Sequence, residues 1–339
     1  MQSCDAMKRL SLAFAALPLL AAAPAPEKPA LAPSEIVAAA PAADWVRIAP
    51  SDLMVMELAP DAKGRARRVV IQLLPPPFSQ GWVGNIRKLV AARWYDGVSV
   101  NRVQDNYVTQ WGDVEGEDPK KAKKLPDGLM QVPEPEYLTP VRYLMLPSSQ
   151  GIAHLNWPNP WPIMPRDNYA AANAFWKGWP IAGMRGDGML GEAELPKDRP
   201  NLLWPVHCYG MVGVGRGFSP DTGSGAELYA VIGHAPRHLD RNIALVGRVI
   251  EGMEHLSSLP RGTEALGFYA TPEERTPILS VRMGEEVKGL PTFEYLSTES
   301  GSFARYADAR ANRRDAFFNV PAGGADICNI PVPVRQAKD

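Results

Sequence analysis

The stretch YDGVSVNRVQDNYVTQWGD, residues 95–113, constrains the fold more than any other part of the chain, because it alternates. Successive side chains of a strand point to opposite faces. Val98, Val100 and Arg102 therefore share one face and Ser99, Asn101 and Val103 the other. A second strand returns after an Asp105-Asn106 turn. The alternation contains a contradiction: an arginine stands on a face begun by two valines. Burying a guanidinium without a partner costs free energy. Arg102 either stands at the mouth of a pocket facing something polar, or is a structural arginine with an internal partner.

The neighbouring patterns extend this β reading. LMVMEL (53–58) and RVVIQLL (68–74) read as a hairpin joined by Pro60-Asp61-Ala62-Lys63-Gly64, opening an all-β or α+β domain. Trp82, Ile86, Leu89, Val90 and Arg93 recur at helical spacing, which predicts a helix over about 80–93 with Ser79 as cap. Residues 114–206 then change character: fourteen of them are proline, about three times the usual ~5%. This segment reads as a long irregular insertion packed by tryptophans, with one helix in DNYAAANAFWKG between Asp167 and Gly178. Loops of such length are usually functional or lid-like. Strand patterning returns at HCYGMVGVGRG, at ELYAVIG and over 243–249, followed by a short helix from Gly252. A closing strand is expected at 277–283 and a tail helix near 305–317. No internal repeat is present.

The N-terminus has its own logic. Lys8 and Arg9 precede the apolar run LSLAFAALPLLAAA, so residues 1–23 read as a secretory signal peptide. The run is too short for a comfortable permanent span, so no stable membrane insertion is expected. Residues 24–43 are Ala/Pro-rich and read as a disordered linker. The expectation is an exported, periplasmic protein. Cys208 and Cys328 would remain after cleavage, either as a disulfide or as two separately buried thiols. A bond closing so long a loop is worth up to ~4–5 kcal/mol in the chain-entropy model.

Several function classes fall away. A formal charge of −1 offers no field for nucleic acid, and Lys120, Lys121, Lys123 and Lys124 read as a solvated loop. The GxGxxG match at Gly186–Gly191 has no strand before it. His234 and His238 are four apart, but Pro236 between them breaks a helical ligand pair. No GxSxG nucleophile elbow and no Cys/His cluster occurs. No metal and no cofactor is expected.

Taken together, YDGVSVNRV…VTQWGD and GAELYAVIGHAPRHLDRNIALVGRVIEGM resemble the two signatures of the cyclophilin-type peptidyl-prolyl cis-trans isomerases. The resemblance covers roughly 50–113 and 207–285. It implies a cyclophilin-like domain over 44–290, interrupted by the 114–206 insertion and followed by an extension over 291–339. The implied fold is mainly β: a closed eight-stranded antiparallel barrel capped by two helices. The implied activity is rotation of X-Pro bonds in other exported chains, without cofactor. By motif position Arg102 matches the family's catalytic arginine and Gln110 the glutamine that supports substrate contacts. Tyr107, Val108, Glu227, Leu228 and Tyr229 match pocket positions, and Gly215 and Arg216 stand near a pair that binds substrate backbone. His238 falls where many members have tryptophan. Ile243 replaces a pocket histidine, Asn101 the usual histidine before the arginine, and Trp111 a glycine. These departures bear on efficiency and substrate preference. A catalytically weak peptide-binding or chaperone module is the other reading they allow, and Glu227 is then a candidate to pair with Arg102 and hold it.

Overall fold

The chain enters its computed structural model, which describes residues 30–140, 147–148, 151–152, 167–184 and 201–337, through a short helix, α1 (Pro33–Ala38), and a strand, β1 (Trp45–Arg47). The expected hairpin follows as β2 (Leu53–Leu58) and β3 (Arg67–Leu73), paired from Leu53↔Gln72 to Leu58↔Arg67. Helix α2 (Gln80–Ala91), β4 (Ser99–Val103) and β5 (Val108–Gly112) come next. The described part of the insertion supplies β6 (Thr139–Pro140), β7 (Pro147–Ser148), β8 (Gly151–Ile152), β9 (Ala172–Trp176), β10 (Trp179–Met184) and β11 (Leu202–Pro205). Then follow β12 (Met211–Val214), β13 (Leu228–Val231), β14 (Leu245–Glu251), the single-turn α3 (Glu254–Ser257) and β15 (Thr276–Met283). The C-terminal region adds β16 (Phe293–Leu296), α4 (Gly301–Ala311) and β17 (Val334–Gln336).

Eight strands close into an antiparallel barrel in the order β12-β13-β5-β4-β15-β2-β3-β14, sealed where β12 pairs with β14. Inward side chains such as Met54, Met56, Val69, Ile71, Val100, Trp111 and Leu228 form its core. Helix α2 adds Trp82, Ile86, Leu89 and Val90 to that core, as their helical spacing requires. Ser79 does stand at its N-cap, in a left-handed conformation, but its side chain makes no capping hydrogen bond. Strand β2 is apolar on both faces for a reason: Leu53 and Val55 pack outside the barrel with Ile48, Val70, Phe293 and Tyr295.

The regions flanking the barrel differ most from expectation. Residues 172–184 form a β-hairpin, not the helix expected over 167–178. Lys177 (φ 46°) and Gly178 (φ 82°) both adopt positive φ, the geometry of a tight two-residue hairpin, and set Trp176 opposite Trp179. A Cβ on Gly178 would lie 2.6 Å from the Tyr295 ring, so the turn needs glycine sterically as well. This turn chemistry overrides an alanine-rich composition. Residues 114–138 are irregular as expected, but further on the insertion builds a four-stranded sheet in the order β6-β11-β10-β9. Part of the expected linker is helical too: α1 packs against α4, anchored by Ile36 and Val37 on the main core. The tail helix starts earlier than expected because Ser300 caps it, accepting from the Phe303 N–H at 3.1 Å. The strand expected over 243–249 is displaced to Leu245–Glu251. The expected signal segment and the GxGxxG match lie outside the described residues. Among the described residues no helix is long and apolar enough to cross a membrane.

Insertion and extension join in one accessory layer. Phe175 packs edge-on against Phe303 at 5.0 Å, and the Gly178 N–H donates to Thr298 Oγ1 at 3.1 Å. Strands β1, β16 and β17 form a three-stranded sheet, and a Cys208–Cys328 disulfide ties the extension to the chain leaving β11. The bond spans 120 residues, so its removal relaxes the unfolded chain by up to about 4–5 kcal/mol. Replacing both cysteines with alanine is expected to lower the denaturant midpoint and abolish any further response to reductant. An unchanged midpoint would show that the layer holds without the bond.

Candidate active site

The contradiction at Arg102 is resolved by a β-bulge. Val100 pairs with Trp111 and Arg102 with Gln110, so Asn101 is an extra residue with no opposite number. One extra residue inverts the alternation. Val100 and Val103 both enter the core, and Arg102 is turned to the outer face. There it stands opposite Gln110, which in turn pairs with Tyr229 on β13.

The guanidinium is held by neutral oxygens. Its Nε–H donates to the Leu266 carbonyl at 2.7 Å, Nη1 to Gln110 Oε1 at 2.9 Å, and Nη2 to Gln104 Oε1. The rings of Phe268 and Tyr107 lie 5.3 and 5.9 Å from its carbon. Three of five N–H donors are thereby engaged, and two remain. Burial lowers the Arg102 pKa from its usual value, with Tyr107 and Glu227 acting in the opposite sense. Among the described residues no carboxylate forms an ion pair with it. Glu227 instead accepts from Gln110 Nε2 at 2.6 Å, so an amide separates the two charges.

Beside the arginine lies an apolar cluster of Val108, Tyr229 and Val231, with Tyr107, Leu239 and Ile243 packed against it. The ring of His238, an exposed residue, stacks on Tyr107 at 6.2 Å. Gly215 and Arg216 follow β12. The Gly215 N–H donates to the Glu227 carbonyl at 2.8 Å, and Arg216 donates to the carbonyls of Asn242 and Gly217 at 3.0 and 2.7 Å. Of the expected site residues, Arg102, Tyr107, Val108, Gln110, Glu227, Tyr229 and His238 come together on this face. Leu228 does not: strand alternation points it into the barrel against Trp111, fully buried.

Sequence reasoning missed the residues that position these. Leu266 and Phe268 reach Arg102 from a distant loop, through an isolated bridge between Arg102 and Phe268, and no local pattern announces them. Beneath Tyr229 runs a buried chain. The Tyr229 hydroxyl lies 2.9 Å from His207 Nε2, and His207 Nδ1 lies 2.8 Å from Asp240 Oδ1. Arg237 Nε donates to Asp240 Oδ2 at 2.7 Å, and its Nη2 to Asp167 Oδ2 at 2.8 Å. The carboxylate can only accept, so His207 Nδ1 bears a proton toward Asp240 and Nε2 is left to the Tyr229 hydroxyl. Burial pushes Asp240 upward, but the His207 hydrogen bond and Arg237 override it and hold the carboxyl below its usual value. The Tyr229 ring lies over Gly213, where a Cβ would come within 2.3 Å of it.

Residues 78–283 match the family model described as "Cyclophilin type peptidyl-prolyl cis-trans isomerase/CLD". Among solved structures, cyclophilin AquaCyp293 from Hirschia baltica is similar at 21% identity and TM-score 0.58, over 87% of this chain and 95% of that one. A cyclophilin-type peptidyl-prolyl cis-trans isomerase from Cryptosporidium parvum aligns at 11% identity and TM-score 0.35, over 68% of this chain and 97% of that one. No curated protein matches the sequence.

The buried chain gives a pH dependence. A carboxyl whose folded pKa is depressed stabilises fully above its unfolded value of ~3.9, and that stability is lost as pH falls toward the folded pKa. Asp240→Asn is expected to cost up to about 3 kcal/mol near neutral pH, since it leaves buried Arg237 with Asp167 alone and takes the carboxylate from His207. The variant should then lose less than the wild type on acidification to about pH 3. Urea midpoints of both proteins at the two pH values check this, and parallel losses would remove Asp240 from the account.

Proposed function

Because this chain belongs to the cyclophilin-type peptidyl-prolyl cis-trans isomerases, we propose that its outer-face groove rotates X-Pro bonds in exported polypeptides, with Arg102 as the catalytic residue. The observation that carries this is a guanidinium fixed by three neutral acceptors, with two donors left over, beside an apolar cluster suited to a proline ring. Rotation breaks amide resonance and returns the lone pair to the nitrogen. A fixed cationic donor favours that twisted state over the planar one, which is the differential binding that catalysis requires. No covalent bond forms or breaks. Gln110 orients the guanidinium, and Tyr107, Val108 and Tyr229 offer the apolar wall. The N-terminal segment read as a signal peptide supports export to the periplasm.

The demand on the site is modest. The uncatalysed step takes tens to hundreds of seconds, so ordinary turnover of ~10 per second needs about 4 kcal/mol. One or two charge-assisted hydrogen bonds of ~1.5–3 kcal/mol each cover that. One observation favours a weaker, peptide-binding version of the same site. Val108, Tyr229 and Val231 are at most 4% exposed, so little of the apolar cluster is open at rest.

Arg102→Ala is expected to lower kcat/KM on an Ala-Pro peptide by roughly 10- to 100-fold, the worth of one such bond. NMR exchange spectroscopy reads this directly, after circular dichroism confirms that the variant is folded. Arg102→Lys keeps the charge but not the fork and should recover only part of the rate. A folded wild type that leaves exchange unaccelerated would sink the catalytic role and leave a binding module.

A further inference from the structure

We propose that Glu227 is a specificity-determining residue of this groove, selecting peptides that carry a lysine or arginine beside the X-Pro pair; this rests on the groove being the peptide site. The motif position ordinarily holds a neutral glutamine, so a carboxylate here is a feature of this chain rather than of the resemblance.

The geometry reserves a place for it. The Glu227 side chain lies across two glycines. A Cβ on Gly112 would come 3.2 Å from Glu227 Cγ, and one on Gly215 would come 2.8 Å from Cγ and 2.9 Å from Oε2. Any side chain at 215 would push the carboxylate aside. One oxygen accepts from Gln110 Nε2 at 2.6 Å, an amide that contributes no charge. Among the described residues no lysine, arginine or histidine forms an ion pair with Glu227. The cations nearby are committed elsewhere: Arg102 to Leu266, Gln104 and Gln110, and Arg216 to the carbonyls of Asn242 and Gly217. The residue is half-buried rather than covered, at the rim of the face that holds Arg102.

Its electrostatic condition agrees with an unmet demand. Burial raises the Glu227 pKa above the usual carboxylate value, Gln110 lowers it, and Glu117 adds repulsion that outranks the attraction of Arg102. A substrate ammonium or guanidinium in this place relieves both the desolvation and the repulsion, whereas a substrate carboxylate worsens them. A part-exposed pair is worth up to about fivefold in affinity. Repulsion of an acidic residue adds a similar factor, so lysine over glutamate should reach roughly tenfold at low salt and shrink as salt is added.

The test uses the full chain and one host peptide around Ala-Pro, with lysine or glutamate placed on either side of the pair. NMR reads kcat/KM from exchange and Kd from chemical-shift titration of the same samples. The expected result is a lysine-to-glutamate ratio of roughly ten in the wild type, falling to about two in Glu227→Gln, which keeps the side-chain shape. A wild-type ratio near one, or a ratio that Glu227→Gln leaves intact, overturns the proposal. If no peptide is isomerised, the isomerase reading fails while the Kd ratios still decide the role of Glu227. If no peptide binds, both fail.

Discussion

One extra residue in one strand organises the functional face. Asn101 breaks the pairing of β4 with β5, and everything at the site follows from which way the next side chain points. A regular strand would send Arg102 inward with Val98 and Val100, where a guanidinium would meet only apolar walls. The bulge lets the barrel keep Val100 and Val103 as core and still present the arginine outside. Its backbone is not left loose, since the Asn101 carbonyl accepts from the Tyr269 N–H at 3.0 Å. That bond brings in the same loop whose Leu266 carbonyl fixes the guanidinium. The local irregularity and the distant loop are thus one device.

The accessory layer is tied to the groove by chemistry rather than by proximity alone. Asp167 from the insertion and Arg237 and Asp240 from the turn before β14 form a nearly solvent-free ionic chain that ends on His207 and the Tyr229 hydroxyl. Asp326, from the extension, lies 3.8 Å from Arg237 Nη1. Cys208, next to His207, is bonded to Cys328. Charges this deep are tolerable only when each has its partner. Tyr229, buried beside the Arg102 face, therefore depends on residues contributed by three separate parts of the chain.

What could be read from sequence follows the range of the interactions. The β2–β3 hairpin, α2, the β4–β5 hairpin and the closing strand β15 declare themselves through local periodicity, and the two signatures give Arg102, Gln110 and Tyr229 positions in one site. The resemblance gives Leu228 a pocket position because a motif column carries no information on strand facing; alternation from its neighbour Tyr229 puts it inside. Residues 167–178 misled because alanine content speaks for a helix, while Lys177-Gly178 speaks for a turn and wins. Leu266, Phe268 and the His207–Asp240 pair have no sequence signal, because each acts across more than 20 residues of chain.

The partners of Arg102 fit the role proposed for it. A carboxylate at Gln110 would hold the guanidinium more firmly but would neutralise the charge that the proposed reaction needs at the twisted amide. Carbonyl and amide oxygens give direction without that loss, at the cost of a partly desolvated cation. The chain does place a carboxylate nearby, but one residue further on, with Gln110 between. The amide accepts from the arginine with its oxygen and donates to Glu227 with its nitrogen, so neither role can be reversed. That polarity keeps the positive charge beside the apolar cluster and the negative charge one residue away from it.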